Sequence, residues 1–206
     1  MSKLGQALSG KALKFVPPGL EEAIHGEITH GAFANPYFKK VLEKFGKTAF
    51  ARSSACMEFE NFLRRIQASG ETCLEIGTYQ GMSAVVLSQF FKRVVCISVD
   101  DDMRRIIKRD IVEYLGITNI EFHDVKDNAQ KREIVEALNF DFAYSDGDHA
   151  NDTHEDFAMV QRCGRVLFHE AWPLQPPVYN LVQSLPPDEI TWADFDCFAY
   201  WKAKND

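Results

Sequence analysis

The sequence predicts an α/β protein: a doubly wound, mostly parallel sheet of seven strands, closed by an antiparallel C-terminal hairpin and preceded by an N-terminal helical extension. Three observations carry this. From Glu71 onward, short apolar runs alternate with stretches of helical periodicity, the pattern of a parallel sheet covered by helices on both faces. The last two apolar runs are separated only by Asp194–Asp196, which is hairpin spacing. And 206 residues, 46% apolar and 26% charged, suffice for one mid-sized domain with a real core but not for two.

The elements follow in order. Residues 1–53 read as an extension or lid. They hold Pro17-Pro18, several glycines and scattered aromatics, with helical spacing only at Pro36–Phe45, where Phe38, Val41, Leu42 and Phe45 recur at i, i+3, i+4 and i+7. The main domain spans 54–206. A helix at Ser54–Ala68 places Met57, Phe62, Leu63 and Ile66 on one face and stops at Ser69-Gly70. Strands are expected at Thr72–Ile76, Arg93–Val99, Ile120–His123, Phe140–Ser145 and Arg165–His169. Helices are expected between them at about Gly81–Phe91, Asp102–Leu115, Gln130–Leu138 and Asp152–Gln161. Right-handed crossovers wind such a chain over both faces of the sheet. A helix near Tyr179–Ser184 leads to the hairpin strands Glu189–Ala193 and Cys197–Lys202.

Composition excludes several classes. The net charge is −7, with no clustered basic excess, which argues against a nucleic-acid partner. The cysteines Cys56, Cys73, Cys96, Cys163 and Cys197 are odd in number and show no C-x-x-C spacing, as expected of reduced thiols in a cytoplasmic protein. No apolar run approaches the roughly 18 residues of a membrane span, and the first twenty residues lack the apolar stretch of a signal peptide.

In doubly wound sheets ligands bind at the carboxyl ends of the strands, so the residues after each strand carry the functional reading. The first strand runs into Glu75-Ile76-Gly77-Thr78-Tyr79-Gln80-Gly81-Met82-Ser83. Gly77 permits a sharp turn and a close backbone approach. The G-x-x-x-G spacing has Tyr79 where a pyrophosphate cradle has its middle glycine, so the loop suits a carboxylate or a nucleoside better than a diphosphate. The second strand ends at Asp100, about 20 residues on, where an acid suits ribose hydroxyls. The third ends in His123-Asp124, within reach of an adenine edge. The fourth ends in Ser145-Asp146-Gly147-Asp148-His149, and turn chemistry accounts for Asp-Gly but not for the second acid or the histidine. The fifth ends in Phe168-His169-Glu170. With Asp146, these two supply N and O donors suited to a divalent cation.

These residues together resemble the class I S-adenosylmethionine-dependent methyltransferases. The likeness is to small-molecule O-methyltransferases with the pattern E-I-G-x-x-x-G-x-S, then a strand ending in aspartate, then D-G-D-H, then a strand ending in F-H-D. It covers about residues 54–206. The resemblance implies a Rossmann-like methyltransferase fold and a methyl transfer from S-adenosylmethionine to an oxygen, with nitrogen the lesser expectation, of a small-molecule acceptor. It implies that Glu75, Gly77, Thr78, Tyr79 and Gly81 wrap the methionine part of the cofactor, with Ser83 near its carboxylate. Asp100 takes the ribose, Asp124 or Val125 flanks the adenine, and Asp146 completes the expected cofactor-binding set. In the metal-dependent members the aspartate matching Asp146 binds a divalent ion such as magnesium, completed by Asp-Asn or Asp-Asp after the fifth strand. This chain has His169-Glu170 there instead. His149 stands where part of the group has a lysine base, and a neutral histidine is a base suited to pH 7. Asp146 and His149 are thus the expected catalytic residues. The altered pair keeps open a second reading, a methyltransferase-like protein that binds a cofactor or partner without catalysis. A nicotinamide-dependent oxidoreductase fits less well, lacking the middle glycine and having the wrong ending.

Overall fold

The computed structural model describes residues 36–45, 57–98, 102–148, 150–193 and 197–204. Two helices come first, α1 (Pro36–Phe45) and α2 (Met57–Arg65). The alternating body follows: β1 (Gly70–Ile76), α3 (Met82–Leu87), β2 (Phe91–Ser98), α4 (Asp102–Leu115), β3 (Ile120–Asp124), α5 (Asn128–Ala137), β4 (Phe142–Ser145), α6 (Thr153–Val160) and β5 (Arg165–His169). The ending is α7 (Pro176–Ser184), β6 (Ile190–Trp192) and β7 (Phe198–Lys202). Every expected strand and helix is present, with ends displaced by a few residues. Asp141 explains one such shift. Its carboxylate accepts the backbone N–H groups of Glu71 and Thr72 at 3.1 and 2.9 Å, so the chain joins the sheet only at Phe142.

The seven strands lie in the order β3-β2-β1-β4-β5-β7-β6. β1 through β5 pair in parallel, and β7 inserts antiparallel between β5 and β6. The hairpin is therefore real, but its second strand, not its first, joins the parallel sheet. The order reverses between β1 and β4, which makes their tips the switch point where such sheets bind ligands.

Alternation along the central strands sends side chains to two cores. Cys73, Cys96, Phe142, Tyr144 and Phe198 face the layer that holds Val41, Phe59, Leu63, Val85 and Ile111. Leu74, Ile76, Val95, Ala143 and Phe168 face the layer that holds Val135, Phe157, Val160, Val178 and Val182. Full burial of each Val, Leu, Ile or Phe among them contributes about 1.5–3 kcal/mol. Of the N-terminal extension, α1 is described. It docks on α4, burying Val41 and setting the Phe45 ring edge-on to Tyr114 at 5.7 Å between centroids. The remaining residues expected to form a lid lie outside the described residues.

Candidate functional site at the strand tips

Glu75 is the one charged side chain in the buried half of β1. It is fully buried on the same face as Cys73, with Cys96 and Tyr144 as its neighbours on β2 and β4. Burial pushes its carboxyl up from the ordinary 4.5 to about 7, and the hydroxyl of Ser83, which donates to Oε1, only partly offsets this. The other oxygen, Oε2, has no hydrogen-bond partner by geometry, although the weakly donating Cys96 thiol stands close. Thr78 Oγ1, with only the same Cys96 sulfur near it, and Gln80 Oε1 are likewise buried without a partner by geometry. Each unmet buried polar atom costs on the order of 1–3 kcal/mol. Three such oxygens gathered on one strand and the loop that follows it form a cradle whose hydrogen bonds a ligand with donor groups would complete.

The loop has the shape this requires. Gly77 has φ +88°, and a Cβ there would lie 2.0 Å from the Asp146 carbonyl oxygen and 2.7 Å from Gly147 Cα. Glycine is thus what lets the tips of β1 and β4 touch. Its N–H continues the ladder to Ile97 O (2.9 Å), and Asp146 N–H bonds Ile76 O (2.8 Å). Tyr79 is held at φ +47°, a left-handed conformation rare for a side chain of this size and common in ligand-binding loops. Gly81, at φ +81°, backs onto the Cβ of Lys108.

The tips of β2 and β3 are joined by a group that was not singled out in the sequence. Lys108 is fully buried, and its ammonium donates to Ser98 Oγ (3.0 Å) and Asp124 Oδ1 (2.6 Å). Arg109 takes Asp124 Oδ2 at 2.8 Å. Burial works to raise the Asp124 carboxyl, but the two cations outweigh it and hold it below the usual range. Asp124 was expected to offer a carboxylate edge to an adenine. Both its oxygens are engaged by cations, and the N–H of the neighbouring Val125 bonds Ser98 O. A sequence signal for Lys108 exists. Lys108, Ile111, Val112 and Leu115 stand at i, i+3, i+4 and i+7, which places the lysine on the buried stripe of α4. Lys131 repeats this spacing with Ile134, Val135 and Leu138. Its ammonium bonds the buried Asp156 at 2.6 Å, whose carboxylate lies against Gly147.

At the β4 and β5 tips, Asp146 Oδ1 is 2.5 Å from His169 Nδ1, and Oδ2 accepts the Tyr144 hydroxyl at 3.1 Å. Burial works to lower the imidazole, but the Asp146 charge and hydrogen bond outweigh it and raise it. The ring stacks on Phe198 with centroids 5.1 Å apart, and Phe198 stacks in turn on Phe59 of α2. Asp148, the second acid of the motif, accepts from Ala150 N (3.0 Å) and Asn151 Nδ2 (2.9 Å) and so shapes the turn. Glu170 has φ +54°, and Trp172 N–H closes back on its carbonyl at 2.8 Å. The Trp172 indole N–H is buried without a partner. Among the described residues no three His, Cys, Asp or Glu side chains gather to hold a metal ion. Asp146 and His169, two of the three residues expected to hold a cation, are here paired with each other. Asp100 and His149, the expected ribose acid and base, lie outside the described residues.

The same architecture is found in solved methyltransferases. An O-methyltransferase from Bacillus cereus in complex with SAH matches 88% of this chain and 100% of its own, with a TM-score of 0.62 and 17% identity. The O-methyltransferase TomG from Streptomyces achromogenes, in complex with SAM, matches 88% and 98% with a TM-score of 0.62 and 16% identity. SAH-bound PaMTH1 from Podospora anserina matches 95% and 100% with a TM-score of 0.59 and 14% identity. At these identities the likeness establishes the fold. No protein-family model and no curated protein matches the sequence.

Proposed function

We propose that this chain is an S-adenosylmethionine-dependent methyltransferase acting on an oxygen of a small-molecule acceptor. One observation carries the reading: Glu75 Oε2, Thr78 Oγ1 and Gln80 Oε1, buried with at most the Cys96 thiol nearby, lie at the switch point of a sheet ordered β3-β2-β1-β4-β5-β7-β6. The fold is that of O-methyltransferase and methyltransferase structures solved with SAM or SAH bound. The residues present fit the amino-acid end of such a cofactor, since a buried carboxylate and two side-chain oxygens match an ammonium's donors. Glu75, Thr78 and Gln80 hold that end, with Gly77, Tyr79 and Gly81 shaping the loop and Ser83 orienting Glu75. Asp100 grips the ribose, and Val125 flanks the base. The cofactor supplies a methyl group already activated on a sulfonium.

The chain's own residues supply position and a dry surround. Well-oriented reactants gain several kcal/mol from proximity alone. Phe59, Tyr144 and Phe198 wall the β4 and β5 tips, and His149, next to the Asp148 turn, serves as the base for the acceptor's proton, worth roughly 10²–10⁴ in rate. Of the N-terminal extension, α1 docks on α4. With a net charge of −7, a small-molecule acceptor fits better than nucleic acid. Divalent-ion chemistry is not carried into this mechanism, because the donor set for it is not assembled.

The test is direct. S-adenosylhomocysteine should raise the melting temperature of the purified chain and NAD should not. Equal responses to both, or to neither, would reject the reading. The noncatalytic alternative draws on one observation, the mutual pairing of Asp146 and His169. Cofactor binding without turnover across an acceptor library would favour it.

A further inference from the structure

The tips of β4 and β5 carry an ion pair at the place where the sequence led to the expectation of a cation. We propose that the Asp146–His169 pair takes the position of a divalent ion, so that the acceptor end of the cleft is built to work without one. The designation of this end as the acceptor end rests on the methyltransferase reading; the exclusion of a cation does not.

The argument is one of donor atoms. A hard divalent cation takes about six oxygen ligands within 2.0–2.6 Å, carboxylates prominent among them. Asp146 is the carboxylate best placed for this, and its two oxygens are engaged by His169 Nδ1 and the Tyr144 hydroxyl. A nitrogen that shares a proton with Asp146 cannot also present its lone pair to a metal. An aspartate can hold a histidine in place so that the far nitrogen coordinates, but that arrangement still needs further ligands close by. Asp148 is engaged by the backbone of Ala150 and by Asn151. Glu170 leaves the strand on a left-handed residue and, among the described residues, does not complete a three-ligand group. The pair is also sterically seated. The His169 ring lies against Phe198, with Phe59 behind it, so an apolar stack fixes the imidazole beside Asp146.

Manganese is the probe, because its binding is read directly by water-proton relaxation and by calorimetry. The full chain, the variant Asp146→Asn and the variant His169→Asp are compared at millimolar Mn²⁺ with SAH present. Wild type and Asp146→Asn should show the same Mn²⁺ isotherm, a blank one included. His169→Asp, which frees Asp146 and adds a carboxylate beside it, should gain affinity by about tenfold or more. If Asp146→Asn fails to fold, the gain in His169→Asp alone is read against wild type. A saturable Mn²⁺ site in wild type that Asp146→Asn removes, or a His169→Asp variant that folds and gains nothing, overturns the proposal. Turnover, where an acceptor is known, should be untouched by exhaustive chelation. A wild type that ignores SAH rejects the methyltransferase reading while leaving the Mn²⁺ comparison intact, so the two failures are distinguishable.

Discussion

Replacing Glu75 by glutamine should make the protein more stable at pH 8, although it removes a charge from the centre of the candidate site. Glu75 is fully buried in the middle strand of the sheet, and burial raises its carboxyl from 4.5 to about 7. That rise corresponds to about 3 kcal/mol of preference for the neutral acid in the folded chain. The sign follows from linkage. Between pH 4.5 and 7 the folded chain holds a proton that the unfolded chain releases. The stabilisation is therefore complete below about 4.5, is lost as pH climbs toward 7, and is gone above it. At pH 8 the wild-type fold carries an ionised, desolvated carboxylate and the glutamine variant does not. The glutamine carbonyl can still accept from Ser83, but its amide N–H faces the place where Oε2 lacks a partner, which takes back about 1 kcal/mol. The expected gain is about 2 kcal/mol at pH 8, shrinking to near zero or slightly negative at pH 4.5. Urea denaturation of both proteins at the two pH values measures it. A variant less stable than wild type by the same amount at both would show that Glu75 is not a strained buried acid, and the cradle argument would fail with it.

Three further outcomes follow from the same geometry. SAH, whose ammonium would stabilise the Glu75 anion, should release protons on binding near pH 7 and bind more tightly as pH rises through 7; calorimetry in buffers of different ionisation enthalpy reads the release, and an enthalpy independent of buffer would contradict it. Asp124→Asn strands the fully buried Lys108 ammonium and should cost about 3–5 kcal/mol, whereas Lys108→Met leaves Asp124 with Arg109 and should cost less; chemical denaturation that reverses this ranking would refute the pairing scheme. Because the Asp124 carboxyl is held below its usual range, this stabilisation is present above about pH 4 and is lost as pH falls below it. Gly77→Ala drives a Cβ into the Asp146 carbonyl and should abolish SAH binding or folding; an alanine variant with unchanged affinity would mean that the β1 and β4 tips do not meet as described.

The sequence by itself determined the layers and the winding of this protein, because both depend on local periodicity. Apolar runs separated by helical stripes leave few ways to bury both faces of a sheet, and each expected strand and helix is found. It also placed the glycine loop after β1, and the apolar stripe of α4 carries Lys108 as its polar member. Which strand of the hairpin enters the sheet depends on a pairing of β7 with β5 that no local pattern encodes. The same is true of the polar partners. Asp124 is a ribbon's-end acid in sequence and becomes one half of a buried bridge only when α4 packs behind β3. Asp146 and His169 are 23 residues apart and meet only because β4 and β5 are neighbours. A side chain's neighbours on its own strand or helix are fixed by spacing of two or 3.6 residues. Its neighbours across strands are fixed by the burial of the whole chain at once, and it is those that decide whether a carboxylate is free to hold an ion.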